Sequence, residues 1–210
     1  MRISGDEFVP GGLDLEAMQV IAPMLVARGL DFLSVSVSTY NGHSYATMIP
    51  DMHFQQGAFV YVAAAIRGAL RKAGLTVPVM TVGRIIDPVH AERILAEGQA
   101  DMVIMTRALL ADPALPRKAR EGRLADIRPC IGCNQGCVGS VHLGRPIRCL
   151  VNPVAGRESR WGDREVVPPE QRKRVLVVGG GPAGLEAARV AAERGHEVEL
   201  WERQGSLGGQ

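Results

Sequence analysis

The first half of the chain alternates short apolar, β-rich runs with amphipathic helical stretches, and this alternation restricts the fold more than any other feature. The strand-like runs lie at 2–4, 32–38, 77–82 and 101–106. The helical stretches lie at 14–28, 56–73, 88–97 and 113–121, the last predicted to be capped by Asp112 with Pro113 in its first turn. Nearly continuous apolar strands separated by helices predict an α/β fold with a parallel sheet, either open or closed into a barrel.

A second fold pattern begins at Val175, where an apolar strand leads into Gly179-x-Gly181-x-x-Gly184 and a helix. The first glycine permits a tight turn, the second lets backbone N–H groups approach a pyrophosphate, and the third lets the helix pack on the strand. Glu202 ends the next strand, where an acid binds ribose hydroxyls and favours an unphosphorylated ribose. The pattern predicts an adenine dinucleotide site, with a purely structural glycine turn as the alternative.

Residues 156–174 separate the two patterns with many charges, two adjacent prolines and no apolar period, which predicts a linker. The second pattern stops at Gln210 after one strand, one helix and another strand, and the first pattern begins directly in a strand. We therefore expect both ends to be cut from a longer protein.

Composition excludes several classes of function. A net charge of +2 without a basic run gives no indication of nucleic-acid binding. No apolar segment approaches the roughly 18 residues that span a bilayer, and the first residues lack the layout of a signal peptide. We therefore expect a cytoplasmic protein that binds neither nucleic acid nor membrane.

All four cysteines, Cys130, Cys133, Cys137 and Cys149, lie within twenty residues in the spacing C-x2-C-x3-C-x11-C. Clustered thiols in a chain without an export signal indicate reduced ligands and not disulfides. Four thiolates can hold the corners of a 4Fe–4S cluster. Structural zinc, which usually takes two C-x2-C pairs, is the alternative. His142 lies within the span as a possible substitute ligand, although a solvated loop residue is the simpler interpretation.

The segment IRPCIGCNQGCVGSVHLGRPIRCLVNP at 127–153 resembles the iron–sulfur segment of the old yellow enzyme-like FMN flavoproteins, the 2,4-dienoyl-CoA reductase and trimethylamine dehydrogenase type. RISGDE at 2–7 and DFLSVSVSTY at 31–40 resemble the fifth and sixth barrel strands of that family, and VGRIIDP at 82–88 and DMVIMTRALLADPALPRKAREGR at 101–123 resemble the seventh and eighth strands with the loops that follow them. The resemblance implies four parts, namely the C-terminal half of a (β/α)8 TIM barrel (1–125), a 4Fe–4S segment (126–155), a linker (156–174) and the start of a Rossmann-like FAD/NAD(P)-binding domain (175–210).

The same resemblance implies residues that hold the flavin. The backbone N–H groups of Gly83–Arg84 and Thr106–Arg107, with an arginine side chain, would hold the FMN phosphate after the last two barrel strands. Arg2 would lie by N1 and O2 of the flavin, where a cation stabilises the reduced form. The alternatives are arginines that are merely exposed or ion-paired, and for Arg2 a frayed terminal residue.

The loop at 39–54 is rich in aromatic residues and histidines for this chain. By resemblance, His43 falls near the proton-donating histidine of dienoyl-CoA reductases, and Tyr40 is the second candidate catalytic residue. Tyr40, Tyr45, His53 and Phe54 could instead form an aromatic wall around a methylated ammonium group. Solvated histidines and ordinary packing beneath a long loop are the alternatives.

These features predict an FMN- and 4Fe–4S-dependent oxidoreductase with FAD, ADP or NAD(P)H at its C-terminal domain. The expected substrate is an N-methylated amine, and the expected partner is an electron-transfer protein. The first alternative is an NAD(P)H-dependent 2,4-dienoyl-CoA or enoate reductase. The second is a truncated, inactive fragment or an interaction module, because half a barrel leaves an open sheet edge.

Overall fold

The computed structural model describes residues 1–40, 45–161 and 168–209. The chain divides into two compact units, Met1–Gly156 and Arg157–Gln210, which are described separately. No helix in the described ranges is long and apolar enough to cross a membrane.

The first unit is built from alternating strands and helices. Its strands are β1 (Arg2–Ser4), β2 (Leu33–Ser36), β3 (Val79–Val82) and β4 (Met102–Ile104). Its helices are α1 (Leu15–Val26), α2 (Tyr45–Met48), α3 (Val60–Lys72), α4 (Pro88–Ala96), α5 (Thr106–Ala111), α6 (Leu115–Arg120) and α7 (Val138–His142), with a 3-10 turn at Leu124–Asp126.

The four strands form one parallel sheet in the order β1-β2-β3-β4, so neighbours in sequence are neighbours in space. The register aligns Ile3 with Val35, Val35 with Thr81, and Thr81 with Val103. The predicted α/β fold with a parallel sheet is therefore confirmed. Parallel pairing places the carboxyl ends of all four strands, and the loops that follow them, at one edge of the sheet.

The core lies between one face of the sheet and helices α1 and α3. Leu33, Val35 and Val79 project from the sheet toward Ile66 and Leu70 of α3, all almost inaccessible to solvent. Burial of each large side chain contributes roughly 1.5–3 kcal/mol. Because side chains alternate along a strand, Arg2, Ser4, Ser34 and Ser36 lie on the opposite face.

Two predicted boundaries around residue 110 are wrong. The predicted strand at 101–106 ends at Ile104, because α5 begins directly at Thr106 and buries Ala108 and Ala111. The predicted helix at 113–121 begins only at Leu115, after a turn. Ala114 is its cap residue, and Asp112 turns inward instead, accepting a hydrogen bond from the Ala114 N–H at 3.0 Å.

The second unit contains α8 (Glu158–Trp161), β5 (Arg174–Val178), α9 (Pro182–Glu193) and β6 (Glu197–Trp201). The short helix α8 lies within the predicted linker, and the Arg157 guanidinium sits 4.7 Å from the centre of the Trp161 ring. Strands β5 and β6 pair in parallel, with Val178 opposite Trp201. The predicted strand–glycine turn–helix–strand order is therefore present in the structure.

Candidate functional site

The four cysteines line a single cavity in the first unit. Arg107, Leu110 and Asn134 also line this cavity, which opens to solvent. All four cysteines are half-buried free thiols. The sequence prediction that these residues belong to one site therefore agrees with their positions.

Two glycines bring the distant Cys149 to the other three cysteines. The Arg148 N–H donates a hydrogen bond to the Gly136 carbonyl at 2.8 Å, and a Cβ at position 136 would lie 2.7 Å from the Arg148 carbonyl oxygen. A Cβ at Gly156 would lie only 1.8 Å from the Ile147 carbonyl oxygen. Only glycine permits these backbone approaches, a role that sequence reasoning missed although Gly136 directly precedes Cys137.

Two buried polar residues connect the cysteine segment, residues 126–155, to the rest of the first unit by hydrogen bonds. The Asp112 carboxylate accepts hydrogen bonds from the Arg128 N–H at 2.9 Å and from the Lys118 ammonium at 2.6 Å. Burial alone would raise the pKa of Asp112, but these donors outweigh it and lower the pKa. The Asn152 side-chain amide donates to the Leu110 carbonyl at 2.8 Å, a contact with no separate signal in the sequence.

Asn134 and Arg107 form the polar wall of the cavity. Arg107 Nη1 donates to Asn134 Oδ1 at 2.6 Å, and Asn134 Nδ2 donates to the Ile49 carbonyl at 2.7 Å. Burial lowers the pKa of the Arg107 guanidinium, while the Cys130 and Cys137 sulfurs oppose that shift. Burial likewise raises the pKa of Cys130. The Gly132 N–H, 3.4 Å from the Cys130 sulfur, and the charge of Arg107 act in the opposite direction and lower it. Arg107 thus supplies positive charge where thiolates would form.

The donor set fits an iron–sulfur cluster by its chemistry. Four sulfur ligands around one cavity match the four corners that a cubane requires. Among the described residues, no three or more His, Cys, Asp or Glu side chains close around a single metal ion. The structure therefore shows a common cavity for the cysteines and not a closed coordination sphere, and the cluster stays a prediction.

The two residue pairs predicted to hold a flavin phosphate follow adjacent strands. Gly83 and Arg84 follow β3 with φ values of 138° and 53°, in the left-handed region. Thr106 and Arg107 follow β4, but they begin helix α5 and do not form the expected loop. Arg84 Nη1 donates to the Phe54 carbonyl, and a Cβ on Gly132 would lie 3.0 Å from Arg84 Nε. Both arginines therefore lie against the cysteine segment, and phosphate binding stays a prediction.

Arg2 belongs to a paired strand, so the alternative of a frayed terminal residue is wrong. It pairs with Ser34 of β2, and the Ser34 N–H donates to the Met1 carbonyl at 2.8 Å. Its exposed side chain lies on the sheet face that points away from α1 and α3. This position is compatible with the predicted flavin contact, which stays a prediction.

The candidate substrate loop is described only in part. His43 lies outside the described residues, and Tyr40 is 90% exposed. His53 is exposed, with its Nδ1 3.0 Å from Asp51 Oδ1. The Phe54 ring packs 5.9 Å from the ring of Phe59, a core residue, which is the ordinary packing considered above. The side chain of Tyr45 lies outside the described part of the chain, and the proposed aromatic wall stays a prediction.

The glycine turn of the second unit has the geometry that a phosphate-binding loop needs. Gly179 has a φ of 104°, and a Cβ at Gly184 would lie 1.9 Å from the Gly179 carbonyl oxygen. Gly181 caps α9 and leaves open space where a Cβ would stand. The Glu202 carboxylate accepts from the Gln204 and Gly180 N–H groups at 2.8 and 2.7 Å, which lowers its pKa. Glu202 therefore braces the loop in this structure, and ribose binding stays a prediction.

Comparisons with known proteins agree with this architecture. The chain belongs to the NADH:flavin oxidoreductase / NADH oxidase family, whose model matches residues 16–126, more than half of the chain. A second family model, described as FAD dependent oxidoreductase, matches residues 174–210. The resemblance to FMN flavoproteins is thereby confirmed, and the predicted class of flavin-dependent oxidoreductases agrees with both matches.

Individual relatives have diverse names. An NADH oxidase from Thermoanaerobacter brockii is 48% identical over all of this chain and 31% of its own length. An N,N-dimethylglycine/sarcosine dehydrogenase from Chromohalobacter salexigens is 42% identical over 100% of this chain and 30% of its own. A 2-naphthoyl-CoA reductase structure matches 99% of this chain and 30% of its own, with 36% identity and a TM-score of 0.87. The chain thus spans about a third of the length of these relatives.

Proposed function

We propose that this chain forms part of an FMN- and 4Fe–4S-dependent oxidoreductase that moves electrons between a small-molecule substrate, a flavin and an electron-transfer protein. The observation that carries the proposal is the single cavity lined by Cys130, Cys133, Cys137 and Cys149 beside the end of the last strand of a flavin-family sheet. Flavin sites in such folds lie at the carboxyl ends of the strands.

Each group of candidate site residues would have a separate role. The four cysteines would hold the cluster, and Gly83–Arg84 with Thr106–Arg107 would bind the FMN phosphate. A flavin exchanges one or two electrons and a cluster one at a time, so the pair joins substrate chemistry to single-electron transfer. Arg107 follows β4 and also lines the cysteine cavity, so one side chain would serve both proposed sites. Arg2 would stabilise negative charge on reduced flavin, and Gly179, Gly181, Gly184 and Glu202 would bind FAD, ADP or NAD(P)H.

For the substrate we propose an N-methylated amine, in line with the name of the Chromohalobacter salexigens relative. The second candidate is an enoyl or dienoyl thioester, because the 2-naphthoyl-CoA reductase shares the fold over 99% of this chain. His43 would then donate the proton. The loop at 39–54 carries the residues on which the two candidates differ.

Metal analysis tests the cluster. Anaerobically purified protein should be brown and contain about four irons and four sulfides per chain. Changing any one of the four cysteines to alanine should bleach the colour, whereas His142→Ala should leave the iron content unchanged. Stoichiometric zinc without iron would contradict the proposal. Absence of both iron and flavin would favour the interaction module.

Anaerobic substrate screening separates the two substrate classes. An N-methylated amino acid should bleach the flavin absorbance, and Tyr40→Leu should weaken amine binding by about 0.5–2 kcal/mol while Tyr40→Phe preserves it. If a dienoyl thioester reoxidises the reduced flavin instead, His43→Ala should lower turnover by about a hundredfold without slowing flavin reduction by NADH. A loaded flavin that responds to neither amine nor NADH would count against both candidates.

A further inference from the structure

Asn134 lies between the second and third cysteines of the motif and makes contacts that the proposed chemistry does not itself require. Its φ of 57° is left-handed, a conformation that asparagine and glycine tolerate better than other residues. It is half-buried beside the cysteine cavity. Glycine would also adopt this backbone conformation between the two cysteines. An asparagine at this position therefore indicates that its side chain has a role.

The oxygen and the nitrogen of the Asn134 side-chain amide both form hydrogen bonds. Oδ1 accepts from Arg107 of α5 at 2.6 Å, and Nδ2 donates to the carbonyl of Ile49, directly after α2, at 2.7 Å. The backbone carbonyl of Asn134 accepts from the Gly139 N–H at 2.9 Å, in the first turn of α7. One residue therefore joins three parts of the unit, and an aspartate at this position would keep the acceptor but lose the donor.

We propose that Asn134 is a positioning residue that holds the Arg107 guanidinium against the cysteine cavity and fastens the segment after α2 to the same point. The inference rests on the proposed function in one respect, namely that the cavity holds a cluster. A cation at the cavity stabilises the extra negative charge of a reduced cluster. Asn134 therefore acts on the cluster through Arg107, and it acts on the candidate substrate loop through Ile49.

The first readout is the reduction potential of the cluster in the purified holoprotein, followed by electron paramagnetic resonance during a redox titration. Asn134→Gly keeps the left-handed backbone available while removing both side-chain bonds. We expect its reduction equilibrium to shift several-fold against the reduced cluster, where tenfold corresponds to about 59 mV for one electron. Gln135→Gly is the matched control, because it adds a glycine at the exposed neighbouring position and leaves both bonds in place.

A double-mutant cycle tests whether the effect passes through Arg107. In an Arg107→Gln background, Asn134→Gly should add little further change in potential, because the charge that it positions is gone. Additive shifts in the two variants would mean that Asn134 does not act through Arg107, and would overturn that part of the proposal.

The second readout is amide hydrogen exchange over residues 46–54, which needs no cluster. Loss of the bond to the Ile49 carbonyl, worth about 1 kcal/mol, should speed exchange there roughly fivefold in Asn134→Gly relative to Gln135→Gly. Unchanged potential or unchanged exchange in an iron-loaded protein overturns the inference while the proposed function stands. Wild-type protein without iron defeats the proposed function, and exchange alone then decides whether Asn134 fastens this segment.

Discussion

Asp101 is an example of a single carboxylate that stabilises three elements at once. It accepts hydrogen bonds from Arg67 of α3, with Nη2 at 2.9 Å, and from the Val79 N–H at the start of β3 at 2.9 Å. It directly precedes β4, so it lies at the amino-terminal edge of the sheet, opposite the predicted phosphate-binding residues Gly83–Arg84 and Thr106–Arg107. Side chains at that end of barrel-type sheets serve stability more than chemistry.

Replacing Asp101 should destabilise the first unit in a pH-dependent way. The hydrogen bond from Arg67 is the main cause that holds the pKa of Asp101 below its ordinary value of 3.8, against the effect of burial. A lowered folded-state pKa stabilises the protein above the unfolded-state pKa, and this stabilisation is lost as the pH falls through the folded-state pKa. Asp101→Asn should therefore cost about 2 kcal/mol of unfolding free energy at pH 7 and progressively less in acid below the ordinary value.

Urea unfolding at pH 7 and in acid measures this effect. The exposed Asp31, which stands before β2 much as Asp101 stands before β4, provides the control variant Asp31→Asn. Equal losses of stability at both pH values would show that the ion pair with Arg67 is not the source.

Helix α9 depends on a close backbone approach to the end of β5. The absence of a side chain at Gly184 lets the first turn of α9 lie against the Gly179 carbonyl, while Gly181 faces open space. The glycines of the same fingerprint therefore have separable roles, one in packing and one in leaving room for a ligand.

Alanine substitutions should separate these two roles. Gly184→Ala places a Cβ 1.9 Å from the Gly179 carbonyl oxygen, so α9 must move, and we expect both lower thermal stability of the second unit and weaker nucleotide binding. Gly181→Ala meets no atom within 4 Å and should leave stability unchanged while it weakens binding of FAD, ADP or NADH. Calorimetric unfolding and titration of each nucleotide provide the measurements, and equal stability losses in both variants would contradict the assignment.

The chain contains, in this order, a parallel sheet, a cysteine cavity and a glycine-turn unit, and the two family matches cover the first and the last of these. Relatives named as an NADH oxidase, an N,N-dimethylglycine/sarcosine dehydrogenase and a 2-naphthoyl-CoA reductase match over nearly all of it. A fold shared by proteins with such different names is what we expect if substrate choice depends on local differences. The segment at 39–54 is our candidate for that difference.

Strands and helices with a clear apolar period were predictable to within a few residues. The core face of α3, with Val62, Ile66 and Leu70, follows the helical period, and the runs around Leu33 and Val79 became buried strands. The short helix α5 was missed because six residues are too few for a periodic signal, and its first two residues looked like a loop. His142 was interpreted as a loop residue, but it ends α7, a helix of five residues that is also too short to give a periodic signal.

The sequence alone was enough to predict the parallel sheet, the grouping of the four cysteines and the glycine turn, because each has a signal in a local pattern of residues. Cysteine spacing and a Gly-x-Gly-x-x-Gly turn express local geometry, which the order of residues specifies directly. The contacts among Ile49, Arg107 and Asn134 join positions up to 85 residues apart and have no local signature. Only packing of the cysteine segment against α5 and the end of α2 creates them, because a hydrogen bond between distant residues exists only after the chain has folded.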